Sequence, residues 1–275
     1  MRNLLRANLY RLWRDKIFWI CTAAMLGFSV FMELQGGQAD AWWELGRNLE
    51  YYYFRTPVYC GLILAVGIAK FIGTDYDDGT IRNKCIIGHR RSEIYWANLL
   101  TCCIYSTVLF LAWAVGGMAG IPYFGLWSVS TAKYFQLLLL ELLAFLAMTS
   151  LLVAIAQFVT NRSANVISVF AALAVLMLGS YFYNALCEPE TYMDGYTIHW
   201  DGTVEFGDEV ANPAYIGGAL RGVYQVLLYI LPTGQQIWIG NEEVTQPVFM
   251  GLCSVAFFAV FAGLGLMLFR KKDLK

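Results

Sequence analysis

The chain has 275 residues, of which 59% are hydrophobic and 14% charged, with a net charge of −1. A soluble domain carries roughly 25% charged residues, so a soluble fold is excluded: it could not hide this much apolar surface, whereas lipid can solvate it. The near-neutral balance gives no sign of a nucleic-acid partner.

The first sixteen residues, MRNLLRANLYRLWRDK, predict an amphipathic surface helix over 1–16. Met1, Leu4, Leu5, Leu9, Leu12 and Trp13 fall on one side, Arg11 and Arg14 opposite, and Arg2 and Arg6 at the flank. Such a helix lies in a membrane surface with its basic groups on anionic headgroups. A signal peptide is the rival reading, but the apolar run begins late and no small-residue cleavage site follows it.

A helix needs about 20 mostly apolar residues to cross the bilayer. Six stretches qualify, at about 17–34, 57–74, 94–119, 134–158, 165–185 and 247–269. A seventh candidate, 214–231, lies between Pro213 and Pro232 but carries Arg221 and three glycines. With six spans and the N-terminus inside, fifteen of the 19 Lys and Arg residues are cytoplasmic, Arg162 and Lys275 among them; Arg47, Arg55, Lys133 and Arg221 are outside. This asymmetry is the positive-inside signature. A seventh span would put the basic tail RKKDLK outside, so 214–231 is expected in the outer interface or as a re-entrant helix. The fold class is therefore all-α integral membrane: one transmembrane domain over 1–275, six spans, both termini cytoplasmic, a cytoplasmic loop at 75–93 and an extracellular helical segment within 186–246. That outer segment holds nine acids against Arg221 alone.

Little in the chain can do covalent chemistry. It has no GxxxxGK[ST], no HExxH and no CxxC, and the two histidines, His89 and His199, are predicted on opposite sides of the membrane. Five of the seven cysteines, Cys21, Cys60, Cys102, Cys103 and Cys253, lie in apolar runs, Cys85 lies in the basic loop, and Cys187 lies outside. They read as small hydrophobes rather than a disulfide framework. The expectation is no catalytic residue, metal or cofactor in this chain. Glu141 is the ionisable residue set deep within a span, in YFQLLLLELLAFLAM. A mid-bilayer carboxylate costs about 2.5–3.5 kcal/mol on insertion scales and should face protein or water. Two readings stay open: a contact in a substrate path, or a satisfied interhelical hydrogen bond. Glu33, at the predicted end of the first span, reads as interfacial.

The loop 75–93, DYDDGTIRNKCIIGHRRSE, predicts a two-turn helix over 79–87. Asp77 or Asp78 can cap its start, Gly88 can end it, and Ser92 can cap the third span. Thr80, Arg82, Asn83 and Lys84 would be exposed, with Ile81, Ile86 and Ile87 supplying apolar contact. The plain reading is a basic loop obeying the positive-inside rule; the sharper one is a docking element for a cytoplasmic partner.

The stretch DDGTIRNKCIIGHRRSEIYWANLL resembles the loop between the second and third spans of type-2 ABC exporter permeases. NPAYIGGALRGVYQVLLYILPTGQQIWIGN is similar to the external helical segment before the last span in a subgroup associated with antimicrobial-peptide export, immunity or resistance. An Asp-Asp pair stands where a glutamate is common, and Asn98 stands where many relatives carry Lys. The resemblance implies a permease subunit of an ATP-driven exporter in a bacterial plasma membrane, paired with a second permease and docked to ABC ATP-binding subunits that hold ATP and Mg. It makes 79–87 the coupling helix, with Asp78, Gly79, Thr80, Ile81, Arg82, Asn83 and Lys84 as docking residues. The alternative is a stand-alone secondary transporter or channel, which would want several ionisable residues at membrane depth.

Overall fold

A computed structural model describes residues 1–43, 46–159, 164–201 and 203–272. Arg162 and Lys275, counted above in the charge asymmetry, lie outside the described residues. The chain opens with the surface helix α1 (Arg2–Arg14) and the first span α2 (Lys16–Trp43). A short α3 (Leu49–Tyr53) leads into α4 (Pro57–Asp77), the loop helix α5 (Thr80–Ile86) and α6 (Arg91–Gly117). A 3-10 turn and α7 (Ile121–Phe124) precede α8 (Thr131–Phe158) and α9 (Ala164–Cys187). The last helices are α10 (Gly218–Ile230), α11 (Pro232–Gly240) and α12 (Pro247–Lys271).

Among the described residues, six helices are long and apolar enough to cross a membrane, as the hydropathy predicts. α4 and α8 form the centre, buried over 61% of their most apolar window, whereas α9 is buried over only 17% and lies at the edge. α8 packs along α12, α2 along α6, and α4 between α8 and α9. At one end of the bundle Arg91 donates to the backbone carbonyls of Arg270 (2.9 Å) and Lys272 (2.6 Å), so the start of α6 meets the end of α12. α1 packs on α6 at that same end. It is the basic end; the opposite end is the acidic end.

α2 runs well beyond the residue at which hydropathy ends it. Glu33, expected at an interface, is fully buried, because Gly120 has no Cβ and lets its carboxylate in: a Cβ there would sit 2.6 Å from Oε2. Caps differ from expectation in detail. Arg90, not Ser92, is the N-cap of α6, with Glu93 Oε2 accepting from the Arg90 N–H at 3.3 Å.

The acidic-end segment is not wholly helical. β1 (Thr191–Met193) pairs antiparallel with β4 (Glu209–Ala211), and β2 (Tyr196–Ile198) with β3 (Val204–Phe206), nested as one hairpin. The helical pair that follows is re-entrant. Arg221, early in α10, donates to the Leu186 carbonyl near the acidic end of α9 (2.9 Å), while Thr233, just past the α10–α11 turn, donates to the Val175 carbonyl (2.7 Å). Eleven residues of α9 separate these anchors, about 16 Å at 1.5 Å per residue. The turn therefore reaches about halfway through a hydrocarbon core of about 30 Å. α11 then climbs back until Gly240 meets Arg55, where a Cβ would lie 2.8 Å from the Arg55 Cα. Of the two placements left open by the sequence, the re-entrant one holds, and its buried part is α11.

Candidate functional site

The basic end is built around α5. α4 closes at Asp78, whose N–H donates to the Thr74 carbonyl at 3.0 Å, and Gly79 turns the chain with φ +63°, a conformation in which glycine carries no Cβ penalty. Gly79 is the N-cap of α5, and no side chain caps it, so the capping role expected of Asp77 or Asp78 is not filled. The stop signal behaves as predicted. Gly88 has φ +98°, its N–H donates to Cys85 (3.0 Å), and the His89 N–H donates to Lys84 (3.2 Å). This pair of bonds is a Schellman ending.

Two predicted docking residues face inward. Ile81 is 2% exposed and belongs to the core, not to a partner-facing surface. The Lys84 side chain is 13% exposed and pairs with Asp75 at 3.2 Å. α5 has seven residues, too few for sequence periodicity to fix its phase, and α4 and α6 set it instead. The outward residues are Arg82, Asn83, Ile86 (72% exposed) and Ile87 (78%), with Asp78 exposed beside them and Gly79 and Thr80 half-buried.

Asp75 is the hub beneath α5. Its carboxylate is fully buried and takes an ion pair from Arg11 of α1 as well as from Lys84. Lys84 also donates to Asn8 Oδ1 (3.1 Å), and Asn8 donates to Asn98 Oδ1 of α6 (2.7 Å). Arg11 lies 4.1 Å over the Phe71 ring and donates to the Phe71 carbonyl at 3.3 Å. Arg11, expected on lipid headgroups, is thus turned onto the bundle. Burial pulls the Lys84 ammonium below its ordinary pKa, with Asp75 opposing. Across the same end, Lys272 donates to the Gln157 carbonyl and to the Tyr76 hydroxyl (3.3 Å); burial pushes its pKa down to about 8. These ties join α1, α5 and the ends of α4, α6, α8 and α12.

Glu141 faces α11. It is fully buried, and Gln236 Nε2 donates to its Oε2 at 3.1 Å. It lines none of the described cavities. The nearest, about 10 Å³ between Gly61, Phe145, Thr233 and Gln236, is the size of one water. The interhelical hydrogen bond is thus present at Oε2, while the buried Oε1 has no protein partner among the described residues. α11 is satisfied throughout its polar face: Gln235 donates to the Tyr229 carbonyl (2.5 Å) and accepts from Ser254 of α12 (2.5 Å).

Larger openings flank the acidic end of α4. One of about 420 Å³ lies between α2 and α4, lined by Met32, Gln35, Ala39, Tyr52, Arg55 and Tyr59 among others. Another of about 210 Å³ lies between α4, α9 and α11, lined by Arg55, Tyr59, Ser180, Tyr183, Asn184 and Asn241 among others. Arg55 and Tyr59 belong to both.

A family model described as ABC-2 family transporter protein matches residues 4–179, well over half of the chain. The chain belongs to the ABC-2 transporter family. No curated protein matches it closely enough to be reported as a relative. As an ABC-2 membrane protein it is a transport subunit rather than a catalytic one, and membership implies association with an ABC ATP-binding subunit. The match spans α1 through the first two thirds of α9, so it takes in α5, Asp75 and Glu141; the hairpin, α10, α11 and α12 lie beyond it. Among the described residues of this ABC-2 protein, no three His, Cys, Asp or Glu side chains cluster to hold a metal. Sequence reasoning missed Asp75 and Arg55. For Asp75 a signal exists in the acidic DYDD at the end of a span, but its partners sit 64 and nine positions away.

Proposed function

We propose that this chain is the permease subunit of an ATP-driven exporter, with its basic end in the cytoplasm of a bacterial cell and α5 as the element that docks a separate ATP-binding subunit. The observation that carries this reading is the form of the α4–α5–α6 loop in a chain of this family. A short helix is stopped at both ends by glycine turns and tied underneath to Asp75, and it shows Ile86 and Ile87 outward beside Arg82 and Asn83. An exposed pair of large apolar residues on a loop otherwise held rigidly suits an apolar anchor in a partner's pocket. Because α5 is tied to α1 and α4, a push on it moves them as a body. ATP and Mg belong to that partner.

The pairing of two such subunits around a central path is supported by the polar notch on α4. Arg55, Gln35, Ser180, Asn184 and Asn241 open sideways from the bundle between α2 and α9. Facing hydrocarbon they would be costly, and a second permease, identical or homologous, would enclose them around water. A stand-alone secondary transporter would route ions through several ionisable groups within one chain, and Glu141 is hydrogen-bonded to Gln236 at Oε2. Antimicrobial-peptide handling is a second reading, favoured by the acids of the hairpin segment, which raise the local concentration of cationic ligands. Neutralising Glu205, Asp208 and Glu209 together would weaken handling of a cationic peptide more at low salt than at high salt.

The deciding experiment is purification of the tagged chain from its native host and identification of what copurifies. A P-loop ATPase in stoichiometric amount, lost on Ile87→Asp, supports the proposal. A chain that purifies alone and transports without ATP removes it.

A further inference from the structure

The geometry points to an anion-selective amphiphile site at the acidic end of α4, centred on Arg55. This inference rests on the permease reading and names the chemistry of what its path accepts. α4 begins lower than its neighbours. The α3–α4 elbow at 54–56 is level with Gly36, where a Cβ would strike the Tyr52 ring, yet α2 continues to Trp43. Seven further residues carry α2 about 10 Å above the elbow. On the other flank α9 continues past Ser180 to Cys187. Arg55 is exposed, in a notch flanked by α2 on one side and α9 on the other.

Arg55 is the one cationic residue that lines both cavities. Of its five N–H donors, one goes to the Tyr51 hydroxyl, and the Tyr51 ring lies 5.1 Å away. Among the described residues no carboxylate lies within 4.0 Å of it. Two acids border the cavities without pairing with Arg55: Glu243 accepts from Tyr183 at 3.2 Å, and Asp40 accepts from the Arg47 N–H at 3.0 Å. Of the other external cations, Arg47 lies 4.0 Å over the same Tyr51 ring and adds positive charge beside Arg55. Arg221 is spent on the carbonyls of Ile216 and Leu186, and Lys133 borders a separate, much smaller cavity.

The two cavities differ in character. The one toward α9 offers Ser180, Asn184 and Asn241, short hydrogen-bonding groups around the guanidinium. The one toward α2 is larger and offers Met32, Ala39 and the rings of Tyr52 and Tyr59. A planar fork with free donors matches a phosphate or carboxylate, and the adjoining apolar space takes a hydrocarbon chain. The ligand class is an amphiphile with an anionic head, the head beside Arg55 and Asn184 and the tail along α2. The acids of the hairpin favour the opposite charge, so the notch and the hairpin make opposed demands that one experiment separates.

The test uses the full chain in nanodiscs of zwitterionic lipid, with fluorescent lysophosphatidate as the probe and displacement read by anisotropy. Unlabelled lysophosphatidate should compete at least tenfold better than monoacylglycerol, which has the tail without the charge, and than inorganic phosphate, which has the charge without the tail. Arg55→Gln should weaken probe binding about tenfold, Arg55→Lys should retain part of it, and Lys133→Gln should leave it unchanged. Should Arg55→Gln fail to fold, Asn184→Asp places a like charge on the head at an exposed position and should weaken binding similarly. Equal competition by monoacylglycerol or by inorganic phosphate, better competition by dodecyltrimethylammonium, or unaltered binding in Arg55→Gln each overturns the assignment. ATPase copurification probes the opposite end of the bundle, so the permease reading stands or falls separately.

Discussion

Replacing Asp75 by asparagine removes the carboxylate from beneath two cations while keeping its shape. Lys84 is 13% exposed and Arg11 30%, so neither regains full hydration when the counter-charge goes. Removing one partner of a buried ion pair costs about 3–5 kcal/mol. Arg11 keeps the Phe71 ring and carbonyl, and its partial exposure screens it, which places the cost near the lower bound, about 3 kcal/mol. Since about 1.4 kcal/mol is a factor of ten, α1 and α5 should open roughly a hundred times more often. Amide hydrogen exchange measures such local opening directly: protection should fall in 2–14 and 80–86 while the centres of α4 and α8 keep theirs. The triple variant Arg11→Met, Asp75→Leu, Lys84→Met removes all three charges together and should recover most of the protection, because an apolar replacement of a whole buried cluster is often neutral or stabilising. Unchanged exchange of both helices in Asp75→Asn would refute the reasoning, since the hub would then be holding nothing.

Ile87→Asp should leave yield and thermal stability unchanged yet abolish copurification of the ATP-binding subunit, whereas Ile81→Asp, which buries a charge in the core, should lower the yield of folded protein. Glu141→Gln should stay within about 1 kcal/mol of the parent, because its amide oxygen can still accept from Gln236. Glu141→Leu should lose about 1–3 kcal/mol by stranding that buried donor, read as a fall in melting temperature in detergent. Cys187, exposed at the acidic end of α9, should react with a membrane-impermeant maleimide in intact cells, and Cys85 should react only after permeabilisation. The reverse pattern would invert the orientation.

What the sequence made legible was set by interactions local in the chain. Six apolar runs of sufficient length become six spanning helices because hydropathy alone decides that much. Gly88 ends α5 as read, since a positive φ is a local demand. The hairpin was invisible: its strands have three residues each and are almost wholly exposed, so no alternation of burial marks them. α11 was missed for the opposite reason. PTGQQIWIG reads as polar, yet every residue is buried, because Thr233, Gln235 and Gln236 find partners on α9, α12 and α8. Asp75 and its cations could not be paired from sequence, since helical phase gives the face of Arg11 but not which acid 64 residues away lies opposite. The burial of Glu33 has no local sequence signal, because the pocket receiving it is formed by the absence of a side chain at Gly120.

The re-entrant hairpin also constrains the order in which the chain can be assembled. Segment 218–240 enters and leaves on the same side, so it cannot be held by topology as a crossing helix is. Its grip comes from neighbours, and one of them is made later: Gln235 accepts from Ser254 and donates to the Met250 carbonyl, both on α12. Until α12 has left the ribosome and inserted, a buried amide in α11 has no acceptor at that face, and water outside competes for it. The seat of α11 is therefore incomplete without α12, which supplies two of the partners of Gln235. A chain cut before residue 250 would keep five of the six long apolar helices and lose both of these partners.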